Sequence, residues 1–467
     1  MRILSSLMAA TVLLGAGCSS RDVSPLPVWI EDSRASEGPP RRPVESLPSG
    51  PLTLDQVLSL ALARNSDLRA AGERIGVAEA HVAEAASTFY PQVGARLSYG
   101  RTDNPAQAFG MIVAQRRFSP LSDVNDPGAT QNWRPELIAS YSIFRGFQDA
   151  NGVDAAKKST EIAAFERSAI RNALGHAVTE TYFVHLAARQ LVEVALASVK
   201  AIESELVEAR KRFDAGALLK SDVLSLEVRL AVARDGEVRA RNGVEHARTS
   251  LRVLLALGPE ETVELSSEFP PQDPSLPVDR GDAMKQALEE RPELQAAARL
   301  VDLRKSELLM EKGAWLPSVD AFASFGQDAP NLDFSAHQDN WTFGFSVDLP
   351  LFSGFRTQAK VAAAERRLRE VRALEDKVRL GIEQEVRIAL LHREEARERG
   401  KVTEKAIAAA EEALRLVREQ YQAGAATVTR YLEAEAALAD ARSRSIATGT
   451  DVRRAEGELR KATGGWK

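Results

Sequence analysis

Reactive side chains are sparse in this chain, and the most informative is its single cysteine, Cys18. One thiol cannot form an internal disulfide. It follows an apolar run from Ile3 to Leu14 and the small residues Gly15-Ala16-Gly17, a setting for processing during export rather than for redox or metal chemistry. The six histidines, His81, His176, His185, His246, His337 and His392, are scattered, mostly within expected helices. There is no His-Glu-x-x-His, no phosphate-type glycine loop and no Gly-x-Ser-x-Gly. Only five methionines are present, so no methionine track for copper is evident. No catalytic residue, metal-ligand set or cofactor site is expected, and an enzyme on a helical frame has no residues to recommend it.

Two readings of Cys18 stand side by side. Residues 1–17 form a short secretory signal rather than a membrane span. The signal is either an ordinary one with an incidental cysteine, or its end resembles a bacterial lipobox. The lipobox resemblance implies that Cys18 becomes the lipidated first residue of the mature chain. It also implies that Ser19 directs the lipoprotein to the outer membrane. Gly15 departs from the pattern, which favours Leu there. Acyl chains anchor stably in twos or threes, not singly. No later stretch offers about 20 consecutive apolar residues, so a membrane crossing by the mature chain requires a closed β-barrel. The charge of -5 and the interleaving of acids and bases along helical stretches speak against nucleic acid as a partner.

The chain is written twice. Ala61–Leu68 aligns with Ala287–Leu294, Leu62 on Leu288, an offset of 226. The same offset places Phe89-Tyr90-Pro91-Gln92-Val93 on Trp315-Leu316-Pro317-Ser318-Val319. Further along, Phe144-Arg145-Gly146-Phe147 aligns with Phe352-Ser353-Gly354-Phe355 at an offset of 208, which also sets Phe213 on Tyr421 and Gly216 on Gly424. The difference, 226 − 208, means 18 extra residues in the first copy between Pro91 and Phe144. The expected organisation is a signal at 1–17, a Pro-rich tether at 18–51, a first repeat at 52–258, a Pro-rich linker at 259–281 and a second repeat at 282–467.

Each copy reads as helix, strand hairpin, very long helix, turn and long returning helix. The opening helices are expected at Thr53 to Thr88, capped by Thr53, and at Asp282 to Ala314. No proline lies between Pro135 and Pro259 or after Pro350. Val199, Ile202, Leu206, Ala209 and Phe213 follow a three-four spacing, and Ile407, Ala410, Leu414, Val417 and Tyr421 repeat it in register. Sustained spacing of this kind with charged flanks predicts coiled coil. A helix from Phe147 to Arg212 would be on the order of 100 Å long.

Four runs alternate with a period of two. They are Val93, Ala95, Leu97 and Tyr99; Trp133, Pro135, Leu137, Ala139, Tyr141 and Ile143; Val319, Ala321, Ala323 and Phe325; and Trp341, Phe343, Phe345, Val347 and Leu349. Alternation over about ten residues with aromatics on the apolar side fits membrane-barrel strands. A half-buried soluble sheet has the same pattern. Four strands fall short of the roughly eight that the smallest such barrels need, so the barrel must be shared within a homo-oligomer. The insertion, around Asn104 to Thr130, is either an extracellular loop or a plug folded into the mouth.

With these features assembled, the chain resembles the TolC-like outer-membrane efflux family over almost everything after residue 50. The carrying motifs are Arg212-Phe213-Asp214-Ala215-Gly216 with Ser221-Asp222-Val223-Leu224, Gln420-Tyr421-Gln422-Ala423-Gly424 with Tyr431-Leu432-Glu433-Ala434, and Pro350-Leu351-Phe352-Ser353-Gly354-Phe355. The resemblance implies a mainly α fold with a small β part. Duplicated long coiled-coil hairpins would form a trimeric α-barrel, and four strands per chain would join one shared transmembrane β-barrel. It implies a passive channel for a tripartite efflux or type I secretion system in the outer membrane of a Gram-negative bacterium. The partners implied are a periplasmic adaptor and an inner-membrane pump of resistance-nodulation-division or ABC type. Gly216, Ala217 and Leu218 with Gly424, Ala425 and Ala426 would be exposed docking tips. Asp222, Arg430 and Glu433 would line a periplasmic aperture. Arg430 stands where some members carry a second acid, which makes it part of a salt-bridged gate, a changed ion preference or a surface pair. The alternative architecture is a periplasmic coiled-coil scaffold or adaptor lipoprotein with no pore; the duplication and the four amphipathic strands speak against it.

Overall fold

The computed structural model describes residues 50–121, 123–258, 261, 263–267, 269–270, 276–277, 279–332 and 337–466. Cys18, Ser19, the signal and the tether up to residue 49 lie outside the described residues. Thirteen principal elements follow in chain order. They are α1 (Leu54–Arg64), α2 (Ser66–Ala86), β1 (Gln92–Thr102), α3 (Pro105–Ala114), β2 (Thr130–Arg145), α4 (Gln148–Asp214), α5 (Lys220–Leu254), α6 (Arg280–Glu290), α7 (Pro292–Gly313), β3 (Ser318–Gln327), β4 (Asp339–Asp348), α8 (Arg356–Gln422) and α9 (Val428–Ala462). Helices α4 and α8 each have 67 residues, and α5 and α9 each have 35. At 1.5 Å per residue the longer pair span about 100 Å. Each begins 208 residues after its counterpart, while α6 and α7 follow α1 and α2 at 226.

The opening helices are broken, not continuous as the sequence reading expected. Asn65 is extended (φ -59°, ψ 130°), and its side chain accepts hydrogen bonds from the Asp67 and Leu68 N–H groups. It stops α1 and caps α2 at once. Arg291 stands in the corresponding place before Pro292, where proline pushes its predecessor out of the helical region.

Toward the hairpin turns, α4 packs against α5 and α9, and α9 against α8, so α5 and α8 are the outer helices of a four-helix layer. In the other half α4 exchanges these partners for α2 and α7, and α7 also packs on α8. The heptad seam of α4 is accordingly buried at Val199, Ile202, Leu206 and Ala209. The matching seam of α8, at Ile407, Ala410, Leu414 and Val417, is only half-buried. Leu414 and Val417 of that seam pack against the core that the two hairpins share.

The strands form one antiparallel sheet in the order β1-β2-β3-β4. Register brings the alternating residues into continuous rows: Val93, Ala139, Ala323 and Phe343 in one, Leu137, Phe325 and Trp341 in another. This face is open to its surroundings, with Trp341 75% and Phe343 66% exposed. The opposite face carries Arg96, Arg134 and Glu136, paired at 3.3–3.6 Å, and Ser142, whose hydroxyl donates to Asp320 at 2.6 Å. A bulge between Ser142 and Phe144 makes Phe144, not Ile143, the partner of Val319. The alternation expected through Ile143 fails because the bulge inserts one unpaired residue and shifts the phase.

The insertion contains a helix that the sequence reading did not anticipate. Asn104 accepts from the Ala106 and Gln107 N–H groups, and Pro105 occupies the first turn, a favoured start for a helix. Helix α3 rests on the polar face at the rim of the sheet. Met111 touches Gly100, the Gln115 amide donates to Asn132 Oδ1 (2.9 Å), and the Asn340 amide donates to the Ala114 carbonyl (3.2 Å). The insertion thus folds back onto the rim of the sheet. Among the described residues no helix is long and apolar enough to cross a membrane.

Candidate functional site

The tips of the two hairpins are built alike. Gly216 and Gly424 have φ of 76° and 75°, and neither has an atom within 4 Å of an ideal Cβ. Backbone conformation, not space, selects glycine. The Ala217 N–H donates to the Arg212 carbonyl and the Ala425 N–H to the Gln420 carbonyl, both at 2.8 Å, closing each helix with a Schellman pattern. The following helices start differently. Thr427 caps α9 by accepting from the Arg430 N–H, while Leu219 offers α5 no side-chain cap.

Ala217 and Ala425 are exposed as expected, but Leu218 and Ala426 are half-buried against the hairpin core. The outward apolar group is Leu219, 70% exposed. The turn residue in the left-handed region rotates the chain so that Leu218, not Leu219, faces inward. That core joins both hairpins. Ile202, Leu206, Leu226 and Leu230 from the first meet Tyr421, Val428 and Tyr431 from the second. Burial of each large side chain contributes roughly 1.5–3 kcal/mol, so the tips move as one packed unit.

Into this seam the fold places polar groups that the heptad pattern had disguised. Glu205 on α4 and Glu435 on α9 are both buried. The rings of Tyr421 and Tyr431 stack with centroids 5.5 Å apart, and the Arg212 guanidinium lies 5.4 Å from the Tyr421 ring centre. Burial, then the Glu205 charge, push Tyr421 up to about 12. Burial, then Glu435 and Glu205, push Tyr431 up to about 12. Both therefore remain neutral phenols. Asp222 is half-buried and among the charges that raise Tyr421. Arg430 and Glu433 are exposed and make no ion pair with each other or with any described residue. The structure thus brings Asp222 to the seam and leaves the other two residues expected at the aperture, Arg430 and Glu433, outside it.

Burial raises Glu435, against the opposing charges of Arg442, Arg229 and Arg418. A carboxyl raised in the folded state adds stability that is complete below the ordinary carboxylate range and is lost as pH rises through the raised value. Glu435→Gln is therefore expected to raise Tm at pH 7, by on the order of 1–2 °C for a chain of this size, and to leave Tm at pH 4 unchanged. Equal shifts at both pH values would assign the effect to packing rather than ionisation.

Among the described residues no group of three His, Cys, Asp or Glu side chains could hold a metal ion. The features that remain are long paired rods, a four-stranded sheet with one apolar and one polar face at one end, and glycine-closed turns at the other. They define a periplasm-spanning channel subunit. The sequence pattern of the outer membrane efflux protein family matches residues 57–257 and 283–465. The chain belongs to that family. It is 26% identical over 421 residues to the outer membrane efflux protein BepC of Brucella suis, covering 88% of this chain and 85% of that protein. It is 26% identical over 382 residues to the fusaric acid resistance protein FusA of Burkholderia cepacia, covering 77% and 69% respectively. Its fold matches the outer membrane channel CmeC of Campylobacter jejuni with a TM-score of 0.78 at 18% identity, over 88% of this chain and 85% of that one.

Proposed function

We propose that this chain is one subunit of a homotrimeric outer-membrane channel that passively conducts substrates delivered by a tripartite efflux or type I secretion assembly. The observation that carries the reading is the sheet. Its apolar face is exposed, its polar face is lined with paired charges, and β1 and β4 leave two unpaired edges. Closed barrels are the only sheets that cross a membrane. Three copies supply twelve strands, enough for a barrel with an aqueous lumen. The same three-fold operation sets α8 of one chain against α5 of the next. Solute passes through the lumen without bond chemistry, and α3 narrows the outer mouth. Cys18 carries the lipid that holds the tether in the outer membrane.

The hairpin tips at Gly216, Ala217 and Leu218 and at Gly424, Ala425 and Ala426 dock on a periplasmic adaptor. That adaptor links the channel to an inner-membrane pump of resistance-nodulation-division or ABC type. Exposed Ala217, Leu219 and Ala425 suit packing against the helical tips of such a partner. Asp222, Arg430 and Glu433 control the periplasmic aperture. Three symmetry-related Glu433 carboxylates would draw cations and repel one another, as charged rings do in channels. In planar bilayers Glu433→Ala is expected to lower cation selectivity and raise resting conductance about two-fold or more, and unchanged values would remove Glu433 from the aperture. The channel itself is tested by imaging the detergent-extracted protein. A three-fold hollow cylinder with a shaft on the order of 100 Å supports it; a monomer or a solid rod would overturn it.

A further inference from the structure

Helix α3 is fastened to the sheet at its C-terminal end. The Gln115 side chain is 1% exposed, and its amide donates to the Gln131 carbonyl (2.7 Å) and to Asn132 Oδ1 (2.9 Å). The Asn340 amide donates to the Ala114 carbonyl (3.2 Å), and the Gln338 amide to the Gln115 carbonyl (3.3 Å). Arg116 follows the helix at φ 53°, a left-handed conformation in which glycine is the less costly residue. Its guanidinium donates to the Asp339 carbonyl at 3.0 Å, a contact that glycine lacks.

Behind this joint lies one carboxylate. Asp328 is the residue after β3 and is 2% exposed. One of its oxygens accepts from the Asn132 amide at 2.5 Å and the other from the Asn340 amide at 2.8 Å. The Arg134 guanidinium stands 3.9 Å away. These two asparagines are the ones that hold α3. An asparagine amide can face either way, whereas an ionised carboxylate only accepts. Asp328 therefore takes the NH2 end of each amide and removes the choice. The Asn132 oxygen is left turned toward Gln115, and the second Asn340 N–H toward the Ala114 carbonyl. Among the described residues the side chain of Asp328 makes no hydrogen bond to α3 itself; it acts through the asparagines.

We propose that Asp328 is the positioning residue that holds α3 across the outlet, and that α3 sets the size limit for solutes leaving the channel. This rests on the reading of the chain as a channel subunit, in which the polar face of the sheet lines the lumen. Met111 meets Gly100 and Gln115 meets Asn132. Gly100 and Asn132 are paired across β1 and β2 and share their face with Arg96 and Arg134, so α3 lies on the lumenal side. A helix with its side chains is about 10 Å across. Three copies lay three such helices against the inner wall of one barrel. Solutes narrower than the remaining opening pass, and wider ones are held back while the two amides stay oriented.

The test measures access by size from outside the cell. Ser140 is exposed on the polar face of β2. It lies eight residues from Asn132 (140 − 132), which is roughly 25 Å inside the rim. The full-length protein carrying Ser140→Cys is treated in intact cells with a small sulfonated maleimide, or with a maleimide on a polyethylene glycol coil about 10 Å across, the width of one helix. The same protein without Ser140→Cys retains only Cys18 and sets the background. The readout is the labelling rate of the large reagent divided by that of the small one. The ratio is expected to be low with Asp328 in place. It should rise about ten-fold in Asp328→Ala, where two amides lose their hydrogen bonds to a charged group. Replacing residues 105–114 by a short glycine-serine link should raise it at least as far while leaving the sheet untouched. Asp320→Ala removes another carboxylate of the polar face, one that accepts from Ser142, and should leave the ratio unchanged. An equal rise in Asp320→Ala would reduce the effect to lumenal charge and overturn the assignment. An unchanged ratio in Asp328→Ala would overturn Asp328 as the positioning residue, and an unchanged ratio after replacement of α3 would overturn the helix as the size limit. Trimer mass, read for every variant, separates these outcomes from misfolding. Failure of the small reagent to reach Ser140→Cys in an assembled trimer would overturn the channel reading, and the size limit with it.

Discussion

Replacing Gly146 with alanine is expected to abolish the assembled trimer, while the same change at Gly354 leaves it assembled. The two glycines are related by the 208-residue offset and share a backbone, with φ of 60° and 62°. Each is followed by a phenylalanine that is itself left-handed, at φ 62°. Each lies between a strand and a 67-residue helix, two residues before the helix begins. The conformational penalty of a side chain is therefore similar at both, about 1–2 kcal/mol. Their surroundings differ. A Cβ on Gly146 would sit 2.2 Å from the Gly313 carbonyl oxygen and 3.0 Å from Leu316 Cβ, whereas one on Gly354 meets nothing within 4 Å. The obstacle is backbone at the end of α7, so no rotamer change relieves it. Moving α7 away would disturb its packing on α4 and α8, the joint between sheet and shaft. Such a clash falls in the class that costs more than about 4 kcal/mol, and it recurs three times per trimer. Gly313→Ala separates the two contributions, because its Cβ would meet the Gly146 carbonyl oxygen at the same 2.2 Å without a left-handed backbone. The measurement is the yield of heat-modifiable trimer in outer-membrane fractions. Near-zero yield for Gly146→Ala and Gly313→Ala with a nearly normal yield for Gly354→Ala is the expected pattern. Equal yields from Gly146→Ala and Gly354→Ala would mean that the close approach is not a constraint.

The contrast between these glycines shows where sequence reasoning reaches and where it stops. Repeat offsets and heptad spacing are local and periodic, so the rods, their register and the alternating strands were legible before any coordinates. The break at Asn65 was not, because a tertiary partner helps to hold it, whereas the one at Arg291 had a local signal in Pro292 that the periodic run overshadowed. The Asn65 amide donates to the Leu254 carbonyl, and the buried Arg291 reaches Glu385 and the Ala462 carbonyl. An asparagine or arginine inside a periodic run looks like a flank until the helix that receives it is in place. The buried Glu205 and Glu435 escaped for the same reason, since a carboxylate beside a heptad core reads as solvated. Helix α3 did have a signal, Asn104 followed by Pro105, which the apolar content of the insertion overshadowed. The bulge at Ser142–Phe144 had none, since Ile143 and Phe144 are both apolar and either could continue the alternation.

The largest effect at the membrane end is expected from Phe343→Arg, set against Thr342→Arg one residue earlier. Phe343 lies at the middle of β4 on the apolar face, in the row with Ala323, Ala139 and Val93. Thr342 points to the opposite face, paired with Ser324. On a lipid-facing strand an arginine at mid-depth costs about 2–4 kcal/mol. A trimer carries three copies, so the penalty is roughly 6–12 kcal/mol, comparable with the whole stability of an ordinary domain. Phe343→Arg should therefore fail to insert and be recovered, if at all, outside the outer-membrane fraction. Thr342→Arg meets water and the paired charges of the polar face, so it should insert normally. There it adds three positive charges to the lumen, and the expected readouts are a smaller single-channel conductance and a shift of selectivity toward anions. The two residues are adjacent in sequence and receive the same change, so propensity, expression and net charge are matched; only the face differs. Normal insertion of both would mean that lipid does not contact this sheet, and the barrel would have to be abandoned for a soluble one. Failure of Thr342→Arg with normal insertion of Phe343→Arg would turn the sheet inside out. The aromatic row would then line the pore, and the paired arginines and glutamates would face the hydrocarbon. The cost of unsolvated charge makes that arrangement untenable unless the register itself is wrong by one residue.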